Sequence, residues 1–115
     1  MTTTTNINSS NWSGAVLTAA SGESFSTVSA EWTVPTLSQV PIKGVTTSDI
    51  AEWVGIDGYQ SNDVCQAGVI ETVQTSTNGH TTTTAISCSA FVEWYPAAAI
   101  ILPASSLQVN QAIRS

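Results

Sequence analysis

Three short runs hold residue types that can bind a ligand and act on it: Trp53-Val54-Gly55-Ile56-Asp57, Val64-Cys65-Gln66-Ala67-Gly68 and Phe91-Val92-Glu93-Trp94-Tyr95. Each alternates with period two, the spacing of a β-strand whose successive side chains point to opposite faces. Trp53, Gly55 and Asp57 therefore share one face of the first run, with Val54 and Ile56 on the other. In the second run Gln66 and Gly68 lie opposite Cys65, Ala67 and Val69. In the third, Phe91, Glu93 and Tyr95 are separated from Val92 and Trp94. Each strand thus offers one apolar face and one that mixes aromatic rings with a carboxylate or an amide. Aromatic walls with a few convergent polar groups make a substrate cleft, whereas an ordinary wet face carries Lys, Glu and Thr. The expectation is that Trp53, Asp57, Gln66, Glu93 and Tyr95 line one continuous face, with Val54, Ile56, Val92 and Trp94 behind it. The competing reading is a solvent-facing sheet that carries Trp53 and Tyr95 for no functional reason.

The elements that must position these residues are all strands, because no stretch has a helical period. Residues 1–10 read as a disordered Thr/Ser-rich leader and residues 11–115 as one β-domain. Residues 11–18 read as a first strand. Val28, Ala30, Trp32 and Val34 alternate with Ser29, Glu31 and Thr33 until Pro35 ends the run, a strand with one buried face. Residues 36–49 contain Pro41 and Gly44 and read as a loop; residues 51–57 are the next strand, closed by a turn over 58–63. Residues 64–74 and 81–95 form the arms of a long hairpin around Asn78-Gly79. Tyr95-Pro96 breaks the chain, residues 98–102 form a short apolar strand stopped by Pro103, and residues 107–113 supply one more. About seven strands with Gly, Pro and Asn punctuation predict an all-β antiparallel sandwich.

Composition narrows the partners. Eight acidic residues against Lys43 and Arg114 give a formal charge of −6. Such a chain cannot neutralise a row of phosphates, which excludes nucleic acid, nor dock on an anionic membrane surface. No stretch reaches 18 apolar residues, and no transmembrane helix is expected. Ser and Thr supply somewhat more than a quarter of the chain and charged residues only 9%, a surface that suits an exported protein. Cys65 and Cys88 permit one disulfide; a tight hairpin centred on Asn78-Gly79 would place Cys88 opposite Val69, so pairing the sulfurs needs a shifted turn or a bulge. A zinc site needs about four ligands and a serine protease a histidine beside Ser and Asp, yet the only histidine, His80, falls in the turn. No metal and no cofactor are expected. Asp57 and Asp63, which flank a turn of oxygen-bearing residues, raise calcium as a minor alternative, and a lectin-like sugar-binding module would use the same aromatics for stacking.

Five blocks occur in order: Asn11-Trp12-Ser13-Gly14-Ala15-Val16, Trp32-Thr33-Val34-Pro35, Trp53-Val54-Gly55-Ile56-Asp57-Gly58, Gln66-Ala67-Gly68 and Glu93-Trp94-Tyr95-Pro96. Together they resemble the glutamic peptidases (eqolisins, family G1, formerly A4), in particular prokaryotic members. The resemblance implies a concanavalin-A-like β-sandwich whose concave sheet carries a Gln/Glu catalytic pair and cleaves polypeptides at acid pH outside the cell. It assigns Gln66 as the catalytic glutamine and Trp53, Asp57, Phe91, Glu93 and Tyr95 as substrate-binding residues, with Phe91 standing where the family usually has Trp. In that mechanism a carboxylate takes a proton from water and a carboxylic acid later protonates the leaving amine, while the glutamine amide donates to the oxyanion.

The family's catalytic glutamate lies in an Ala-Glu-Trp/Phe strand well after the Glu-Trp-Tyr-Pro block, and no residue here matches it. Ala30-Glu31-Trp32 is superficially similar, but its place before Trp53 assigns it to an early strand. The resemblance therefore implies the N-terminal half of the domain, either inactive by itself or completed by a missing half or by self-association.

Overall fold

A computed structural model describes residues 5–10 and 12–103 and the backbone of residues 112–114. Among them there are only strands: β1 (Glu31–Thr33), β2 (Thr47–Asp57), β3 (Val64–Asn78), β4 (Thr81–Tyr95), β5 (Ile100–Ile101) and β6 (Ala112–Arg114). Strands β2-β3-β4-β5 form one antiparallel sheet, and β1 pairs with β6 in a two-stranded ribbon. The protein is all-β, and this architecture is compatible with part of a β-sandwich.

Local chemistry sets these elements. The β3 and β4 runs are rich in Val, Ile, Thr and aromatic residues, which pack well on a pleated surface. They are joined by Gly79 and His80, with Asn78 directly opposite Thr81. Gly79 takes φ +64°, so it stands first of the two loop residues, as a type II′ hairpin requires. The expected turn was centred one residue earlier, on Asn78-Gly79. Moving the loop by one residue changes each pairing by two, so Cys88 faces Glu71 rather than Val69. Cys65 faces Trp94. The two sulfurs therefore share a face six positions apart, about 20 Å at the strand rise. That is far beyond disulfide reach, and both thiols are free.

Other expectations need correction. Residues 12–18 form no strand; β1 keeps only three residues of the alternating run that starts at Val28; and β2 begins at Thr47, inside the segment read as a loop. In each case a regular strand exists only where a neighbour supplies ladder hydrogen bonds. Thr47 pairs with Gln74, whereas the N-terminal segment has no such partner among the described residues. Residues 1–4 of the leader and 107–111 of the last expected strand lie outside the described residues.

The core sits on the back of the sheet. Val34 and Val69 are fully buried, and Cys88 nearly so, with Trp32 of the β1 strand packed against them. Val73 of the same β3 row is buried too. The ribbon thus covers the middle of the sheet, while the end holding Val92 (39% exposed) and Trp94 (68% exposed) is left open.

Candidate functional site

The register gathers the chemistry-bearing residues in three rows across β2, β3 and β4. Gly55, Gln66 and Glu93 form the central row; Trp53, Gly68 and Phe91 lie on one side of it, and Asp57, Val64 and Tyr95 on the other. Directly opposed residues share a face, as do residues two apart on a strand. Trp53, Asp57, Gln66, Phe91, Glu93 and Tyr95 therefore occupy one face, and Val54, Ile56, Val92 and Trp94 the other, as the alternation predicts. The turn correction above leaves this sorting intact, because a shift of two positions preserves parity.

In the central row the Gln66 side-chain amide donates from Nε2 to Glu93 Oε2 across the β3–β4 pair. Both side chains are half-buried. Gly55 leaves the β2 end of this row without a side chain, so the amide is flanked by a carboxylate on one side and open backbone on the other. The next row closes over Gly68. A Cβ there would overlap the Glu52 carbonyl oxygen and lie 2.8 Å from Trp53 Cα and Cβ, so only glycine permits this approach of β2 to β3. Phe91, on its far side, is 5% exposed: it stands on the Gln66 face as a packed residue. Tyr95 is half exposed and Asp57 exposed, so the third row forms the open rim.

Asp57 is the one non-glycine residue with positive φ (+70°) among the described residues, and Gly58 follows at +89°. Two consecutive left-handed residues end β2 abruptly and turn the chain away from the rim, a conformation that Asp tolerates better than most residues. The turn is tied internally: the Gly58 amide donates to Ser61 Oγ (2.9 Å), which donates to the Asp63 carbonyl (3.0 Å). Among the described residues no group of three or more His, Cys, Asp or Glu side chains could hold a metal ion. His80 is exposed at the hairpin tip, remote in sequence register from Gln66.

One contributor was missed. Trp12 sets its ring edge-on to Trp53, with centroids 6.0 Å apart and planes at 74°. Its Cη2 atom also lies 2.9 Å from where a Gly58 side chain would begin. Such edge-to-face pairs hold both rings in place, so the aromatic wall is two tryptophans deep at the β2 edge. The signal was the Asn11-Trp12-Ser13-Gly14 block itself, which carries no periodicity to assign its face.

A model of the Peptidase A4 family matches residues 10–114. No curated protein and no solved structure matches the chain.

Proposed function

Given that the chain belongs to the Peptidase A4 family, we propose that the Gln66 face is the substrate-binding half of an acid endopeptidase of the glutamine/glutamate type. The observation that carries this reading is the Gln66–Glu93 hydrogen bond, set on one face with Trp53, Asp57 and Tyr95. A sugar-binding reading of the same aromatics has no observation in its favour.

The chemistry follows from the groups. A peptide lying across the β2–β4 rows has its carbonyl near the Gln66 amide and its side chains against Trp53 and Tyr95. Water adds to the carbonyl carbon as a carboxylate removes its proton, and the resulting oxyanion accepts a hydrogen bond from Gln66 Nε2. The tetrahedral adduct then expels the amine, which takes a proton from the carboxylic acid just formed. A donor aimed at the developing charge is worth about 10²–10³ in rate. Glu93 holds the amide in plane through its hydrogen bond and borders the peptide. The general base is a glutamate on a strand with no counterpart in these 115 residues, and an exported protein working in acid is part of the same proposal.

The test is digestion of a denatured protein at about pH 2–5, around the reference pKa of a glutamate, with Gln66→Ala as control. Peptide binding is followed in parallel by tryptophan fluorescence. The expected result is binding without turnover, with binding weakened by Tyr95→Ala. Cleavage abolished by Gln66→Ala would place the base inside these residues, Glu93 first, and overturn the assignment of the base. Absence of both binding and cleavage would overturn the peptidase face itself.

A further inference from the structure

The back of the same sheet holds a buried carboxyl group. Glu71 lies between Val69 and Val73 on β3 and is 1% exposed, and neither carboxylate oxygen has a hydrogen-bond partner among the described residues. Among the described residues its neighbours do not supply a counter-charge. From β4, Cys88 stands directly opposite. From β2, Ile50 is opposite and Glu52 sits on the same face two residues on. From β1, the Trp32 indole N–H is spent on Glu52, donating to Oε2 at 3.1 Å. Two carboxyl groups and a thiol thus share one packed interface with a single side-chain donor assigned among them. Burial, and then the neighbouring Glu52 carboxylate, both hold the proton on Glu71.

We propose that Glu71 is a proton-dependent lock between the β1 strand and the site-bearing sheet: protonated, it packs as a neutral core residue; ionised, it forces the Trp32–Val69–Cys88 interface open. Burying a lone carboxylate is costly, whereas the carboxylic acid costs only its unmade hydrogen bonds. The direction follows from linkage. Below the ordinary carboxyl value Glu71 is protonated in both folded and unfolded chains, and the fold has its full stability. As pH rises past that value the unfolded chain releases the proton and the folded one keeps it, so stability falls. The fall stops once pH passes the raised value in the fold. Because β3 carries Gln66 on its other face five residues earlier, release of the lock loosens the strand that positions the amide.

The experiment compares urea unfolding of the full chain with that of Glu71→Gln and Glu52→Gln from pH 3 to pH 8. Glutamine mimics the protonated acid at any pH. The expected difference between wild type and Glu71→Gln is small at pH 3. It grows against the wild type by up to tenfold in the folded-to-unfolded ratio per pH unit above the ordinary carboxyl value, about 1.4 kcal/mol per unit. Glu52→Gln is expected to recover part of that loss, since it removes the repelling charge. Parallel wild-type and Glu71→Gln profiles across the range overturn the proposal. So does a Glu71→Gln chain that fails to fold where the wild type folds at pH 4, because a neutral isostere must then be acceptable. The reactivity of the buried Cys88 thiol toward a pyridyl disulfide gives an independent measure: protection that stays constant from pH 4 to 8 overturns it as well.

Discussion

Gly68→Ala tests whether the close approach of β2 to β3 holds the aromatic wall beside Gln66. The added Cβ would overlap the Glu52 carbonyl oxygen and sit 2.8 Å from two carbons of Trp53. Carbon atoms prefer about 3.5–4.0 Å, so the strands must part locally by roughly 1 Å. Against an interstrand spacing of about 4.8 Å, such a shift stretches the neighbouring ladder bonds past the ~3.2 Å limit of a good N–H···O contact. Overpacking costs about 1–3 kcal/mol, and one weakened ladder bond adds about 1. The smaller entropy loss of alanine returns roughly 0.5–1 kcal/mol. The clash wins, leaving a net loss of about 1–3.5 kcal/mol. With a urea slope of about 1 kcal/mol/M for a small protein, the midpoint falls by roughly 1 M or more. Gly55→Ala is the internal comparison: its Cβ would meet Cys65 O at 3.0 Å and Gln66 Cβ at 3.1 Å, a milder conflict, and its midpoint should drop less. A Gly68→Ala midpoint equal to that of the wild type, or higher than that of Gly55→Ala, would refute the reasoning.

Further outcomes follow from the same geometry. Cys65 is exposed whereas Cys88 is buried with its thiol pushed up by burial and by Glu71 and Glu52, so at pH 4, where Glu71 keeps the interface closed, a pyridyl disulfide that reacts with thiols in acid should modify one cysteine fast and the second only in urea; two fast thiols, or none, contradict this difference in burial. Val69→Ala removes two methyl groups from a fully buried site and should cost about 2 kcal/mol in chemical denaturation. Trp32→Phe keeps an aromatic ring but removes the donor to Glu52 and should cost about 1–2 kcal/mol. Ile100, on the edge strand β5, is 63% exposed, and Ile100→Lys should shift the chain toward monomer in sedimentation experiments at high concentration.

What could be read from the sequence depended on whether a feature was local or needed a neighbour. Period two is local: it sorted Trp53, Gln66 and Glu93 onto one face, and it survived an error in the turn because that error moved the pairing by an even number of residues. The disulfide question was not local, since it hung on which of two adjacent loop positions takes the positive φ, and Gly79 settles it as the first. Trp12 was equally illegible, because its contact with Trp53 spans 41 positions without an intervening pattern. Glu71 shows the opposite case. Val69, Glu71 and Val73 alternate in plain view, so period two already puts a carboxyl group among valines on the face that must be covered. A helix or loop could have let that side chain reach water; a central strand flanked on both sides by long neighbours, with Trp32 packed across the back, does not. The sheet that presents Gln66 to solvent on one side is therefore obliged to keep a proton on the other. If the open face works in acid, as proposed, the same conditions serve the buried face.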